Sequence, residues 1–320
     1  MWPRALEAVA ACLGEFGRLR LRPRPLARMM RLRALARMLL LRGGLGRCVS
    51  CRLCGVNFHA LQTDPVWLDV AENRRRIEGA LDVTAFERGD FFVLPEMCET
   101  GWSTNAADYA NTRDSVDWLC SAARSRQVWI QAGFAEHESD RAGDDRIANS
   151  VAIVAPDGSL HAVYRKNFLF PSESSTFMRG NEIVIVDIGA ARVCPFICYD
   201  LRFPELWRHA ALAGAEVFTV SSCWPTVRRE HWRTLLVARA VENQCSVVAA
   251  NRCGTDPTTE YAGASVVITP LGARVHEVLE GSHAATLAFD RTAHDAWRAN
   301  FSALRDTRTS LLGSITVTRA

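Results

Sequence analysis

A glutamate, a lysine and a cysteine in this 320-residue chain each close a short apolar run. Glu96 ends Phe91-Phe92-Val93-Leu94-Pro95-Glu96, Lys166 ends Val163-Tyr164-Arg165-Lys166, and Cys198 ends Val193-Cys194-Pro195-Phe196-Ile197-Cys198. Apolar runs of this length read as strands buried on both faces. Sites in α/β sheets collect outside the carboxyl ends of strands, where these three could converge. Their chemistry is complementary. A cysteine is mostly thiol near neutral pH, with a pKa of about 8.5; a carboxylate can take its proton and an ammonium can stabilise the thiolate. Attack on an amide carbon would create an oxyanion, for which Lys166 and the backbone N–H of Tyr199 are reasonable donors. Glu96 could then pass its proton to departing ammonia and activate the water that hydrolyses the thioester. Spacing alone does not decide the matter, because a strand-end Cys is often a packing residue and Glu or Lys there a solvated rim charge.

The elements needed to position these groups are visible in the pattern. Strands are predicted at Val56–Leu61, Phe91–Leu94, Val128–Phe134, Ser150–Val154, through Val163 and Tyr164, and at Ile183–Ile188, Val193–Cys198, Val217–Ser221, Ser246–Asn251, Ala264–Thr269 and Ala284–Phe289. Helices are predicted at Trp67–Phe86, Ser115–Arg126, Pro204–Ala213 and Arg229–Asn243. Ala155-Pro156-Asp157-Gly158 is a turn. Strands and helices interleave without a polar linker, which predicts one α/β domain with strands inside and helices outside.

Three local sequences carry a family resemblance. Leu94-Pro95-Glu96-Met97, Tyr164-Arg165-Lys166 and Cys198-Tyr199-Asp200-Leu201-Arg202-Phe203-Pro204 resemble, in order, the glutamate, lysine and nucleophile motifs of the carbon–nitrogen hydrolase (nitrilase) superfamily. The resemblance spans 55–305 and none of 1–54. It implies an αββα sandwich, with two mixed sheets flanked by helices in a single domain. It also implies roles for Glu96 as base, Lys166 as oxyanion stabiliser and Cys198 as nucleophile. The family's second glutamate, which helps position substrate, is expected at Glu173, seven residues before Gly180; Glu182 lies beyond that glycine and opens the next strand. Within the superfamily the chain is similar to omega-amidases, which release ammonia from 2-oxoglutaramate and related short dicarboxylate monoamides. Thr100-Gly101, Trp224-Pro225, His231-Trp232, Ala238 to Gln244 and Asn251-Arg252 carry this likeness. The distant carboxylate of such a substrate needs a cation; Arg228 is the choice, with Trp224 beside it, although an Arg at a helix start is also commonly just solvated. A nitrilase, an N-carbamoyl amidase or a non-catalytic member of the superfamily are the alternatives. Two departures bear on substrate preference: Phe168 stands where the family often has His, and Cys98-Glu99 follows the glutamate motif.

Composition fits this reading. Hydrophobic residues make up 48% and charged residues 23%, ordinary for a globular enzyme. Residues 1–54 hold twelve arginines and two acids; of the chain's 38 basic and 35 acidic residues, 26 and 33 remain, so the body is acidic by seven. That argues against nucleic-acid binding by the body. No apolar run is long enough to span a membrane. The Arg-rich start is expected to be a targeting presequence or a disordered tail, which makes the protein cytoplasmic, or mitochondrial or plastid if the presequence is used. Residues 306–320 form a C-terminal tail. The eleven cysteines sit mostly in apolar runs, as Cys194, Cys223 and Cys245 do, and are expected to be reduced. Cys48, Cys51 and Cys54 could bind zinc or iron–sulfur but lack a fourth ligand nearby, so no metal is expected. A cofactor-free mechanism, a small amide substrate and a homodimer or larger assembly complete the expectation. His231, on a helix beside Trp232, is expected to be packed structure rather than a partner for Cys198.

Overall fold

Phe91-Phe92-Val93 shows in three residues how the chain builds its layers. Side chains alternate along a strand, so Phe91 and Val93 enter one apolar cluster while Phe92 enters another. Val151 and Ile153 divide from Ala152 and Val154 in the same way. A sheet with two apolar faces must be covered on both.

The computed structural model describes residues 55–137 and 147–320. Cys48, Cys51 and Cys54 lie outside the described residues, as does the whole Arg-rich start, 1–54. The chain runs β1 (Val56–Leu61), α1 (Val70–Val83), β2 (Phe91–Val93), α2 (Ser115–Arg126), β3 (Trp129–Glu136), β4 (Ile147–Val154), β5 (Leu160–Arg165) and β6 (Phe177–Met178). It continues with β7 (Glu182–Asp187), β8 (Arg192–Ile197), α3 (Pro204–Leu212), β9 (Val217–Ser222), α4 (Arg229–Asn243) and β10 (Ser246–Asn251). The final elements are β11 (Cys253–Thr255), β12 (Glu260–Ala262), β13 (Ser265–Ile268), β14 (Arg274–Val278), β15 (Ala284–Phe289), α5 (Arg291–Asn300) and β16 (Thr316–Arg319).

Two mixed sheets result. One has the order β15-β1-β2-β3-β4-β5, with β6 added beside β4; the other has the order β14-β13-β10-β9-β8-β7-β16. Phe58, Phe91, Val151 and Tyr164 of the first sheet share a buried cluster with Phe196, Val220 and Val248 of the second. Ile77 and Leu81 of α1 and Leu119, Ala122 and Ala123 of α2 cover the other face of the first sheet. Trp207 of α3 and Trp232 and Leu236 of α4 cover the second. The layers are therefore helix, sheet, sheet, helix, as the family resemblance implied.

Most predicted elements agree to within a residue or two. The first helix is shorter than its apolar pattern suggests, because the Asp69 carboxylate accepts from the Glu72 N–H and starts it, and Thr84 turns extended and ends it. Part of the 306–320 tail is structured: β16 pairs in parallel with β7 at the sheet edge.

Candidate active site

The nucleophile candidate sits where β8 stops being a strand. Ile197 is extended, whereas Cys198 has φ of 42°, a left-handed conformation that costs a non-glycine residue about 1–3 kcal/mol. Asp200 holds the bend. Its buried carboxylate accepts from the Ile197 N–H (3.1 Å), the Phe168 N–H (2.9 Å) and the Tyr164 hydroxyl (2.7 Å). Burial pushes this carboxyl up to about 6, against the pull of those donors. The elbow leaves Cys198 partly exposed to a cavity of about 120 Å³.

Glu96 and Lys166 line the same cavity. Glu96 follows β2 and is pressed against β3, where Gly133 gives the room: a Cβ there would lie 2.5 Å from Glu96 Cα and 2.8 Å from both Met97 N and Pro95 O. Lys166 follows β5, its carbonyl accepting from the Gly180 N–H at 2.8 Å. Its Nζ donates to Glu96 Oε1 at 2.8 Å and lies 3.0 and 2.9 Å from the Glu173 oxygens Oε1 and Oε2. Asn149 Nδ2 ties the two carboxylates together, donating to Glu96 Oε1 (2.7 Å) and Glu173 Oε1 (2.9 Å). Glu96 Oε2 accepts from the Cys223 N–H at 2.9 Å. Glu173 also accepts from Trp102 Nε1 (2.8 Å) and the Phe170 N–H (2.6 Å).

The electrostatics follow from this packing. Burial alone would drive Lys166 toward the neutral amine, but Glu173 and Glu96 reverse that and hold its pKa well above the usual lysine range. Burial likewise opposes ionisation of Glu173; Lys166 and the Trp102 N–H overcome it and keep the carboxyl below its ordinary value. Burial pushes the Cys198 thiol up, Glu96 adds to the rise, and Lys166 and Ser222 only partly offset it. These influences favour the thiol, so a nucleophilic role for Cys198 would require a base to take its proton.

Glu96, Lys166, Cys198, Tyr199, Trp224 and Arg228 all line the cavity, while Glu173 is buried behind Lys166. Trp224 is held by Asn251, whose side-chain oxygen accepts from its N–H at 2.6 Å. Arg228 reaches over the Phe170 ring at 5.6 Å. Reading the sequence missed Arg202, which also lines the cavity, lying 4.8 Å over Trp224 and 5.9 Å over Tyr199. Among the described residues neither Arg202 nor Arg228 pairs with a carboxylate. Arg202 lay inside the nucleophile motif, but nothing in its type showed that it turns back to the cavity. Asn149, Trp102, Phe170, Thr259 and Tyr261 were missed too, since they come from separate segments without a shared spacing.

His231 is a correction: it is exposed rather than packed, and its ring nitrogen Nδ1 lies 3.5 Å from Arg202 Nη2. It is not among the residues lining the cavity. The two departures from the family pattern also point elsewhere. Phe168 stacks on Phe203 with centroids 3.6 Å apart, bracing the elbow. Cys98 packs beneath the outer helices, and Glu99 pairs with Arg74 at 2.6 Å.

Known proteins share this sequence and architecture. The chain is 34% identical to the omega-amidase YafV of Yersinia enterocolitica, over 79% of this chain and 96% of that protein. It is 35% identical to a 2-oxoglutaramate amidase of Bacillus subtilis, over 66% of this chain and 82% of that one. The crystal structure of XC1258 from Xanthomonas campestris, described as a CN-hydrolase superfamily protein, superposes with a TM-score of 0.74 at 30% identity, covering 82% of this chain and all of that one. Residues 59–299 match the carbon–nitrogen hydrolase family. With that match spanning β2 through β15 and every strand end that feeds the cavity, the chain belongs to the carbon–nitrogen hydrolases, enzymes that act on C–N bonds.

Proposed function

We propose that this protein hydrolyses the terminal amide of short dicarboxylate monoamides, such as 2-oxoglutaramate, through a thioester on Cys198. The observation that carries the reading is one cavity bordered by Cys198, Glu96 and Lys166 and also by two arginines, Arg202 and Arg228, that lack an acidic partner among the described residues. The first three suit an amide carbon; a free guanidinium suits a carboxylate at the substrate's other end. The omega-amidase and 2-oxoglutaramate amidase relatives support the same choice.

In this mechanism Glu96 takes the Cys198 proton as the sulfur attacks the amide carbon. The oxyanion is received by Lys166 Nζ and the Tyr199 N–H. Glu96 returns the proton to the leaving nitrogen, releasing ammonia, then deprotonates the water that cleaves the thioester. Lys166 stays charged throughout, because Glu173 compensates it when Glu96 is protonated. Trp224 forms a wall for the substrate's short chain. A homodimer or larger assembly is part of the same reading, supported by family resemblance alone and measurable by sedimentation velocity.

Side-by-side assays of 2-oxoglutaramate, a simple nitrile and N-carbamoyl-β-alanine test the substrate class. Ammonia release is expected from the first, with a thioester on the Cys198 peptide detectable by mass spectrometry and absent in Cys198→Ala. A preference for the nitrile or the carbamoyl compound would reject the reading. Charge-assisted hydrogen bonds contribute about 1.5–3 kcal/mol, so Arg202→Ala and Arg228→Ala should each raise KM for 2-oxoglutaramate about ten- to a hundredfold. An amide without a carboxylate should be little affected by either change.

A further inference from the structure

Cys223 has a thiol that the mechanism above does not use. Of the seven cysteines among the described residues, only Cys198 and Cys223 line the cavity. The two follow neighbouring parallel strands, β8 and β9, in which Ile197 pairs with Ser221. The pairing ends there: Cys198 is the next residue after Ile197, at the elbow, and Cys223 stands two residues after Ser221. Neighbouring strands lie about 4.8 Å apart, so the two cysteines leave adjacent strand ends within two residues of a directly paired couple and open onto the same cavity. A disulfide takes Cα separations of roughly 4.4–6.8 Å. Cys223 is held at this spot: its N–H donates to Glu96 Oε2 at 2.9 Å and its thiol to the Glu96 carbonyl at 3.1 Å.

We propose that Cys198 and Cys223 form a reversible disulfide when a small hydroperoxide enters the cavity, and that this bond switches the enzyme off and protects its nucleophile. In the first step the Cys198 sulfur, its proton taken up by Glu96, attacks a peroxide oxygen. The O–O bond breaks, leaving Cys198 as a sulfenic acid and releasing water (or an alcohol). In the second step the Cys223 sulfur attacks the Cys198 sulfur and expels hydroxide, which leaves as water with the Cys223 proton. Overall, two thiols are oxidised to one disulfide and one peroxide is reduced. Without a second thiol in reach, a sulfenic acid goes on to the irreversible sulfinic acid.

This inference rests on Cys198 being the nucleophile. The test is to treat the full-length protein with hydrogen peroxide, alkylate and digest it, and follow both peptide masses and amidase activity before and after dithiothreitol. For wild type the expected result is loss of activity, a cross-linked Cys198–Cys223 peptide pair about 2 Da lighter than the reduced pair, and recovery of most activity on reduction. In Cys223→Ser and Cys223→Ala, each normalised to its own untreated activity, the loss should resist dithiothreitol, and the Cys198 peptide should gain about 32 Da. Wild-type loss that resists reduction without a cross-link would overturn the proposal, as would Cys223 variants that recover as well as wild type. If those variants do not fold, the wild-type cross-link and its reversal decide alone. Amidase activity surviving in Cys198→Ala would instead remove the nucleophile assignment on which the inference stands.

Discussion

Lys166 is fully enclosed yet charged, which is tolerable only because two carboxylates and an amide meet around it. A buried ion costs several kcal/mol unless it is paired and hydrogen-bonded. Glu173 is the more heavily engaged partner, accepting from Lys166, Trp102, Asn149 and the Phe170 backbone. Every neighbour of its carboxylate is a donor. In Glu173→Gln the new NH2 group must face one of those donors, and Lys166 loses half its counter-charge. The expected result is a fall in kcat of about a hundredfold, with a smaller change in KM, and a loss of about 1–3 kcal/mol in stability from the unsatisfied group. Steady-state kinetics beside thermal melts check it; unchanged kcat would show that Glu173 only packs. That Glu96, Lys166 and Cys198 share one cavity could be anticipated from their motifs, because each closes an apolar run that forms a strand. Asn149 and Trp102 could not be, because an Asn inside an apolar strand and a Trp in a loop have many ordinary explanations.

At the scale of elements, the site depends on how closely the Glu96 segment lies against β3. That approach is permitted by Gly133, whose absent side chain would meet backbone atoms that cannot rotate away. Gly133→Ala should therefore force the Pro95-Glu96-Met97 segment outward. Overpacking of this kind costs about 1–3 kcal/mol, and displacing Glu96, the proposed base, should lower kcat/KM at least about tenfold. Gly79 supplies the contrast: it is exposed on α1 and a Cβ there meets nothing within 4 Å. Gly79→Ala should raise stability by up to about 1 kcal/mol through helix propensity and leave kinetics alone. Denaturant unfolding of the two variants, with kcat/KM for each, separates the local clash from a general intolerance of alanine. Strand positions were legible wherever burial on both faces made the run apolar, as in β2 and over Val247–Ala250 of β10. The sequence reading passed over β14, β16 and α5 because these elements are mostly exposed and polar; α5 buries only His294.

That single buried histidine bears on the molecule as a whole, because α5 joins the two sheets. His294 packs on Phe289 of β15 in the first sheet, with ring centroids 5.6 Å apart. From the same helix, Arg298 Nη2 donates to the Ala215 carbonyl at 2.7 Å and Arg291 pairs with Glu216 at 2.6 Å, both just before β9 of the second sheet. Neither His294 ring nitrogen has a hydrogen-bond partner among the described residues. Burial, then the positive charge of Arg298, lower its pKa to about 4, with Glu216 opposing and Arg192 and Arg291 adding to the fall. The unfolded chain would bind a proton at His294 near pH 6.5, well before the folded protein does. Between those values the unfolded state holds more protons, so stability rises with pH in this window. The contribution is fully present above about pH 6.5 and is lost as pH falls toward 4. His294→Phe keeps the aromatic packing and removes the titration, so it should blunt acid destabilisation. With each pKa unit equivalent to 1.36 kcal/mol, its advantage over wild type should be about 1–2 kcal/mol larger at pH 5 than at pH 7.5. Melts of both proteins at the two pH values measure that difference directly, with carboxylates common to both cancelling. A difference independent of pH would mean that α5 holds the sheets together without this histidine sensing protons.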